Sequence, residues 1–348
     1  MYIKYCRTSF ALEQFDGIES ACHKTLILYF EGAIYNRPFL QSLLPSQDTA
    51  LSEEDDNAAL LLVLFQSFGE ALIPKLLGDF ILAIYDSERQ TWFCARDHMG
   101  VRPFFYFEDE SYFVFGSDIA AIAADEHVPD ELCTESIAVF LREGELYDSQ
   151  LTFHKHIKRL KPANTLTLDQ GGIRFQCYWR PEELDRRTFE SAEHCASELL
   201  KLLQDAVNIR IDPNKNTGVH LSGGLDSSAI TALAAPILRT YGKSTHSFSW
   251  LPPPNGGQRG DPEWAPGELL ASEFGLNHHY TPFGARDISE ILYRFNLLDF
   301  DNVDLWYEHK VRELADQNGV NVILSGWGGD EFVSYHGAYR CFETFWGG

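Results

Sequence analysis

The chain has 348 residues, an apolar content of 45% with 14% aromatics, and a formal net charge of −23. That length suffices for two domains with full cores, and the composition excludes a disordered chain. The excess of acid excludes a partner built on long runs of nucleic-acid phosphate, but not a single nucleotide, which backbone N–H groups and one Mg2+ can hold inside an acidic protein.

The opening MYIKYCRTSF lacks the basic-then-apolar build of a secretory signal, and the longest apolar run, AALLLVLF at 58–65, is too short to span a bilayer. The seven cysteines (Cys6, Cys22, Cys94, Cys133, Cys177, Cys195, Cys341) are scattered, with no CxxC pair. Such a set fits reduced thiols in a cytoplasmic protein with no membrane partner.

From the N-terminus, short β-like runs alternate with turn residues: TLILYFEGAIYN (25–36), GDFILAIYDSERQTWFCARD (78–97), FFYFEDESYFVFGSD (104–118) and NTLTLDQGGIRFQCYW (164–179). A helical stretch at 56–70 interrupts them, so the first half is predicted to be α+β. The charged, turn-prone segment RPEELDRRTFESAEH, 180–194, reads as a linker. After it the rhythm changes. A helix at 191–207 leads to strand GVHL, helix 226–238, strand STHSFSW, helix 264–274, strand HHYTPF, helices near 287–316 and strand VNVIL. Strands alternating with helices predict a parallel, doubly wound sheet, whose ligands bind at the carboxyl ends of the strands.

Two glycine-rich stretches follow directly after strands. In VHLSGGLDSSAI (219–230) the strand ends in Ser222-Gly223-Gly224 and a helix begins near Asp226. Glycines let the backbone approach phosphate oxygens, the helix N-terminus offers N–H groups and a positive dipole end, and Ser222, Ser227 and Ser228 add hydroxyls. A bare Asp226 would repel phosphate unless it holds a Mg2+ that bridges to it. By spacing alone, the same residues suit an ordinary Asp/Ser helix cap equally well. The common phosphate loop is excluded, because the G-x-x-x-x-G-K-[ST] spacing and its lysine are absent. The second stretch, LSGWGGDEFVSYH (324–336), contains the letters GGDEF of the diguanylate cyclases. That domain needs a long downstream segment, so here the string is a coincidence.

SGGLDSS resembles the pyrophosphate-binding loop of the asparagine synthetase family, whose members activate a carboxylate as an acyl-adenylate. EGAIYN (31–36), GDFILAIYD (78–86), ARDHMGVRPFFY (95–106), FGSDIAAI (115–122) and IKRLKPANTLTL…YW (157–179) are similar, in order, to that family's amidotransferase domain. The resemblance implies an α+β amidotransferase-like (Ntn-type) domain over 1–183. An α/β doubly wound ATP-pyrophosphatase (PP-loop) domain is implied over 184–348, ending short of the family's full length, before a lysine held to stabilise adenylation. ATP and Mg2+ are the implied cofactors. Asp226 and Asp330, the latter in SGWGGDE (325–331), are implied as the catalytic, Mg2+-binding pair. Leu221, Ser222, Gly223, Gly224, Asp226, Ser227, Ser325 and Gly326 are implied to contact the nucleotide. HSFSW (246–250) resembles the adenine-contacting segment through Ser249 and Trp250, although plain core packing suits Trp250 as well.

The first domain departs from the family. A glutamine-using member needs Cys as its first residue, its free amine serving as base, whereas this chain opens Met1-Tyr2. Cys6 is expected to be a buried structural thiol. Where the family reads NGEIYN, Glu31 replaces the oxyanion-stabilising Asn and Ala33 replaces the acid that binds the glutamine amine. The domain is therefore expected to retain the scaffold without the chemistry, and the amine must come from elsewhere.

Trp327 stands where asparagine synthetases carry Glu and β-lactam synthetases carry Tyr, and an indole is neither acid nor base. With SFSWLPPP and FDNVDLWYEHKVRELA, it makes the chain most similar to the macrolactam synthetases of lasso peptide biosynthesis. The expected substrate is then a leaderless precursor peptide whose Asp or Glu side chain is adenylated and attacked by its own N-terminal amine. A leader-binding protein and a leader peptidase are the implied partners. An ammonia-using asparagine synthetase, a β-lactam synthetase and a degenerate ATP-binding scaffold are the alternatives.

Overall fold

The computed structural model describes residues 1–7, 12–14, 19–44, 56–143, 146, 148–185, 187–250, 264–281, 284, 287, 289 and 305–332. Contacts divide the chain into two compact units, Met1–Arg186 and a second that starts at Arg187.

The first unit carries strands β1 (Tyr2–Cys6), β2 (Leu12–Gln14), β3 (Glu19–His23), β4 (Leu26–Ile34), β5 (Gly78–Asp86) and β6 (Thr91–Arg96). They are followed by β7 (Phe105–Glu108), β8 (Tyr112–Gly116), β9 (Lys158–Arg159), β10 (Asn164–Asp169) and β11 (Gly172–Cys177). These form a five-stranded sheet in the order β2-β1-β8-β7-β9 and a six-stranded sheet in the order β11-β10-β6-β5-β4-β3. Helices α1 (Arg37–Ser42), α2 (Asn57–Phe68), α3 (Ile119–Ala123) and α4 (Thr134–Glu143) complete the unit.

Strand β5 shows why the two sheets stack. Its side chains alternate, and both alternating sets are apolar. Phe80, Leu82 and Ile84 join Leu60, Leu61 and Leu64 of α2 in one core. Ile81, Ala83 and Tyr85 join Ile3, Phe113 and Phe115 of the other sheet in a second. A third core places Ile119 and Ile122 of α3 on the outer face of the five-stranded sheet, against Phe105 and Val114. The result is a helix–sheet–sheet–helix sandwich. Trp92 lies between the sheets with no exposure, 4.9 Å from the Tyr85 ring and 5.0 Å from that of Phe115.

Helix α2 starts at Asp56, whose carboxylate accepts from the Ala59 amide at 2.8 Å, and stops at Gly69, where φ is +56°. The stretch Asn57–Lys75 is long and apolar enough to cross a membrane by length and composition. In the fold it is a core element, with Ala58, Leu60, Leu61, Leu62, Leu64, Leu72 and Ile73 buried.

The second unit opens with α5 (Ala192–Asn208), capped by the Ser191 hydroxyl. It continues through β12 (Thr217–His220), α6 (Leu225–Thr240), β13 (His246–Ser249), α7 (Trp264–Phe274) and β14 (Asn277–Tyr280). Helix α8 (Leu305–Gln317), β15 (Val322–Leu324) and the short α9 (Gly329–Phe332) follow. The four strands are all parallel, in the order β14-β13-β12-β15. Val207, Ile211, Ala234 and Leu238, from α5, α6 and the turn after α5, cover one face, and Val311 and Ala315 of α8 cover the other, as a doubly wound sheet requires. Of the helices expected near 287–316, the portion before α8 lies largely outside the described residues.

Candidate active site

The strand order decides where a ligand belongs. From β12 the chain adds β13 and β14 on one side and β15 on the other, so the order reverses between β12 and β15. A crevice outside the carboxyl ends of the strands opens at such a switch point. Both glycine-rich loops leave these two strands, which run in register from Thr217↔Val322 to Val219↔Leu324.

The first loop is built by its own serines. The Ser222 and Ser227 hydroxyls lie 2.9 Å apart, the Ser222 amide donates to Ser227 Oγ, and the Gly224 amide donates to Ser222 Oγ. The Ser222 and Ser227 hydroxyls expected to face phosphate are thus spent on holding the turn, as are the Ser222 and Gly224 amides, while the Ser228 hydroxyl is buried with no hydrogen bond among the described residues. Gly223 has φ +93°, a conformation open to glycine at little cost. Gly267 of α7 packs onto it: a Cβ there would lie 3.5 Å from the Gly223 amide nitrogen.

Asp226 does not cap the helix. The N-cap is Gly224, which has no side chain to offer, and Asp226 falls in the first turn of α6. The ordinary cap that spacing alone allowed is therefore not what the carboxylate does.

The second loop sits directly on Asp226. A Cβ at Gly329 would lie 2.6 Å from Oδ1 and 2.7 Å from Cβ of Asp226, and one at Gly326 would lie 2.6 Å from the Ser227 amide. Only glycine tolerates such approach. Asp330, which is exposed, follows Gly329 in the chain. Ser325 is exposed, with its hydroxyl accepting from the Trp327 amide at 3.3 Å, and Trp327 itself is exposed.

The remaining expected contacts line the neighbouring strand end. Leu221 is buried and its amide donates to the Phe248 carbonyl at 2.9 Å. Ser249 is buried, and its carbonyl accepts from both the amide and the hydroxyl of Thr281. Trp250 is half-buried and packs on the Phe248 core, so core packing accounts for part of its role. Its ring also lies 5.0 Å from that of His220, a residue the motifs did not single out.

The donor set suits a magnesium ion. Two carboxylates from adjoining loops are hard oxygen ligands, and Mg2+ binds through one or two carboxylates plus water and phosphate oxygens. Among the described residues there is no cluster of three or more His, Cys, Asp or Glu that would form an all-protein cage.

In the first unit, Glu31 takes up the terminal ammonium of Met1, and both join the Ser117 hydroxyl, at 2.6 Å from the ammonium and 2.8 Å from Glu31. Burial alone would raise the Glu31 carboxyl, but hydrogen bonds from the ammonium and Ser117, with Arg102 nearby, hold it below its ordinary range. The acid that replaces the family's Asn is thus engaged in an ion pair. Cys6 corrects one expectation: it is half-buried on edge-adjacent β1, not buried. All six described cysteines are free thiols.

Residues 18–179 match the glutamine amidotransferase domain family, and residues 198–346 match the asparagine synthase family. The chain belongs to the asparagine synthetase family. Asparagine synthetase (glutamine-hydrolysing) 3 of Bacillus subtilis is 29% identical over 92% of this chain and 53% of its own length. Asparagine synthetase B of Escherichia coli is 25% identical over 88% of this chain and 52% of its own length. The chain spans about half the length of these curated relatives. In this asparagine synthetase-family chain the two family domains fall on the two compact units. The motifs named both acidic loops. They missed Gly267 and Gly329 as close-packing partners, although a glycine inside a helical pattern, as in WAPGELL, is itself a sign of close backbone approach.

Proposed function

We propose that the chain carries the ATP site of a cytoplasmic, ATP-dependent amide-forming ligase. The observation that carries this reading is the packing of the second glycine loop onto Asp226. It sets the loop that carries Asp330 against the loop that carries Asp226, at the switch point of the parallel sheet. Asp226 and Asp330 are the residues that would hold Mg2+, and the Ser222–Gly224 turn and the first amides of α6 would receive the phosphates. Magnesium, when bound, supplies positive charge against the departing pyrophosphate. With ATP held there, the substrate carboxylate would bond to the α-phosphorus as the anhydride bond between the α- and β-phosphates breaks, leaving an acyl-adenylate and pyrophosphate. An amine then displaces AMP to form the amide.

For the finer reading, the substrate is a leaderless precursor peptide. Its Asp or Glu side chain is activated and its own N-terminal amine closes a macrolactam ring; a leader-binding protein and a leader peptidase act alongside. Two observations favour this over glutamine-fed synthesis. Glu31 is locked in an ion pair where glutamine chemistry needs an amide donor, and Trp327 is an exposed indole on the second loop. An α-amine titrating near 8 also needs little help to lose its proton. Pyrophosphate release by the full-length protein is the test. Release that requires a leaderless peptide is expected, and release with aspartate and ammonia alone would establish asparagine synthesis instead.

A further inference from the structure

We propose that His220 and Glu308 form a positioning pair for the nucleotide site, fixing Trp250 and the strand end that enters the first glycine loop. The proposal rests on the nucleotide reading above.

His220 is the last residue of β12, one position before Leu221. Its side chain is nine-tenths buried, and its Nε2 lies 3.3 Å from Oε2 of Glu308, which is 12% exposed. Its ring stands 5.0 Å from that of Trp250, tilted by 58°. Its carbonyl accepts from the Thr231 hydroxyl of α6, the helix that carries Asp226. One residue therefore ties the sheet to α6 through its backbone, and to α8 and Trp250 through its ring.

The pair is also incompletely satisfied. Among the described residues, neither ring nitrogen of His220 nor Glu308 Oε1 makes a hydrogen bond, although all three are buried. Leaving a polar group buried without a partner is unfavourable, so three such atoms beside a strand end are not explained by stability. An apolar pair would fill the same space at no such cost. What the pair supplies is orientation: the imidazole held against the carboxylate sets the indole and the Leu221 backbone where a base would lie. Their contacts run to each other, to Trp250 and to Thr231, so the pair is assigned to nucleotide affinity and not to the bond-breaking step.

The test uses ATP–pyrophosphate exchange by the full-length protein with its substrate, together with thermal melting. Replacing both residues with leucine preserves packing and removes the pair. The double variant His220→Leu/Glu308→Leu is expected to melt as wild type, with KM for ATP raised at least about fivefold and kcat within about twofold, the size of an ordinary contact coupling. Glu308→Gln, which keeps the shape, is the second variant, with KM raised in the same direction. An unchanged KM for ATP in a folded Glu308→Gln or double variant overturns the pairing role. Loss of kcat with KM unchanged does so too, since that marks a merely structural part. Wild-type protein with no exchange overturns the nucleotide reading itself, a result no variant could mimic.

Discussion

One added methyl group tests two of the three glycines of the second loop, Gly326 and Gly329. At Gly326 an added Cβ meets the backbone at Ser227 and Asp226; at Gly329 it meets Cγ, Oδ1 and Cβ of Asp226, and the last of these cannot rotate away. Gly326→Ala is therefore expected to destabilise the second unit by about 1–3 kcal/mol, read as a lower melting temperature. Gly329→Ala is expected to lower the melting temperature as well and to remove ATP binding, because the Asp226 carboxylate must swing out of place. A Gly329→Ala protein that still binds ATP normally would show that Asp226 is not needed where it stands. Asp125 gives a pH prediction. Its nearly covered carboxylate accepts from the Tyr2 hydroxyl and the His127 amide and lies 3.3 Å from Lys4 Nζ. Burial alone would raise it, but these partners hold it below the ordinary range. A folded-state pKa under the unfolded value of about 3.9 means the stabilisation is full above that pH and is lost as pH falls through the folded value. Asp125→Asn should flatten the acid limb of a stability–pH curve, and an unchanged limb would assign the acid sensitivity elsewhere. At this scale the sequence named Asp226 but could not distinguish cap from metal ligand, because that depends on Gly224 taking the cap position. His220 and Glu308 escaped notice because they are 88 positions apart in sequence numbering and meet only when α8 packs on the sheet.

Between elements, periodicity was the readable signal. GDFILAIYD reads as a strand, and the pattern of helix 264–274 sets its end where α7 ends, at Phe274. The pattern could not say that β5 would be buried on both faces, since a continuous apolar run states burial but not the number of layers. Strand pairing order was equally hidden. That β12 and β15 adjoin follows from long-range packing, yet it is what brings the two acidic loops together. The sheet–sheet core supplies the third prediction. Trp92→Ala removes an indole with no exposure from between the two sheets and should cost about 3–5 kcal/mol, measured as a shift of the denaturation midpoint. A cost below about 1 kcal/mol would mean that the inter-sheet core repacks freely.

Across the whole molecule, the net charge of −23 repels itself in any compact state. Shortening the Debye length from about 30 Å near 0.01 M salt to about 8 Å near 0.15 M should raise the melting temperature, and a fall would assign stability to surface ion pairs instead. The same charge makes the site's own arrangement more telling: oriented amides and a shared cation let an acidic protein hold a triphosphate. Mn2+ can stand in for Mg2+ at carboxylate sites, so ATP-dependent Mn2+ binding, followed by electron paramagnetic resonance on the full-length protein, measures that arrangement directly. One Mn2+ held in the presence of ATP, and lost in both Asp226→Asn and Asp330→Asn, is the predicted result; undiminished binding in either variant would contradict it.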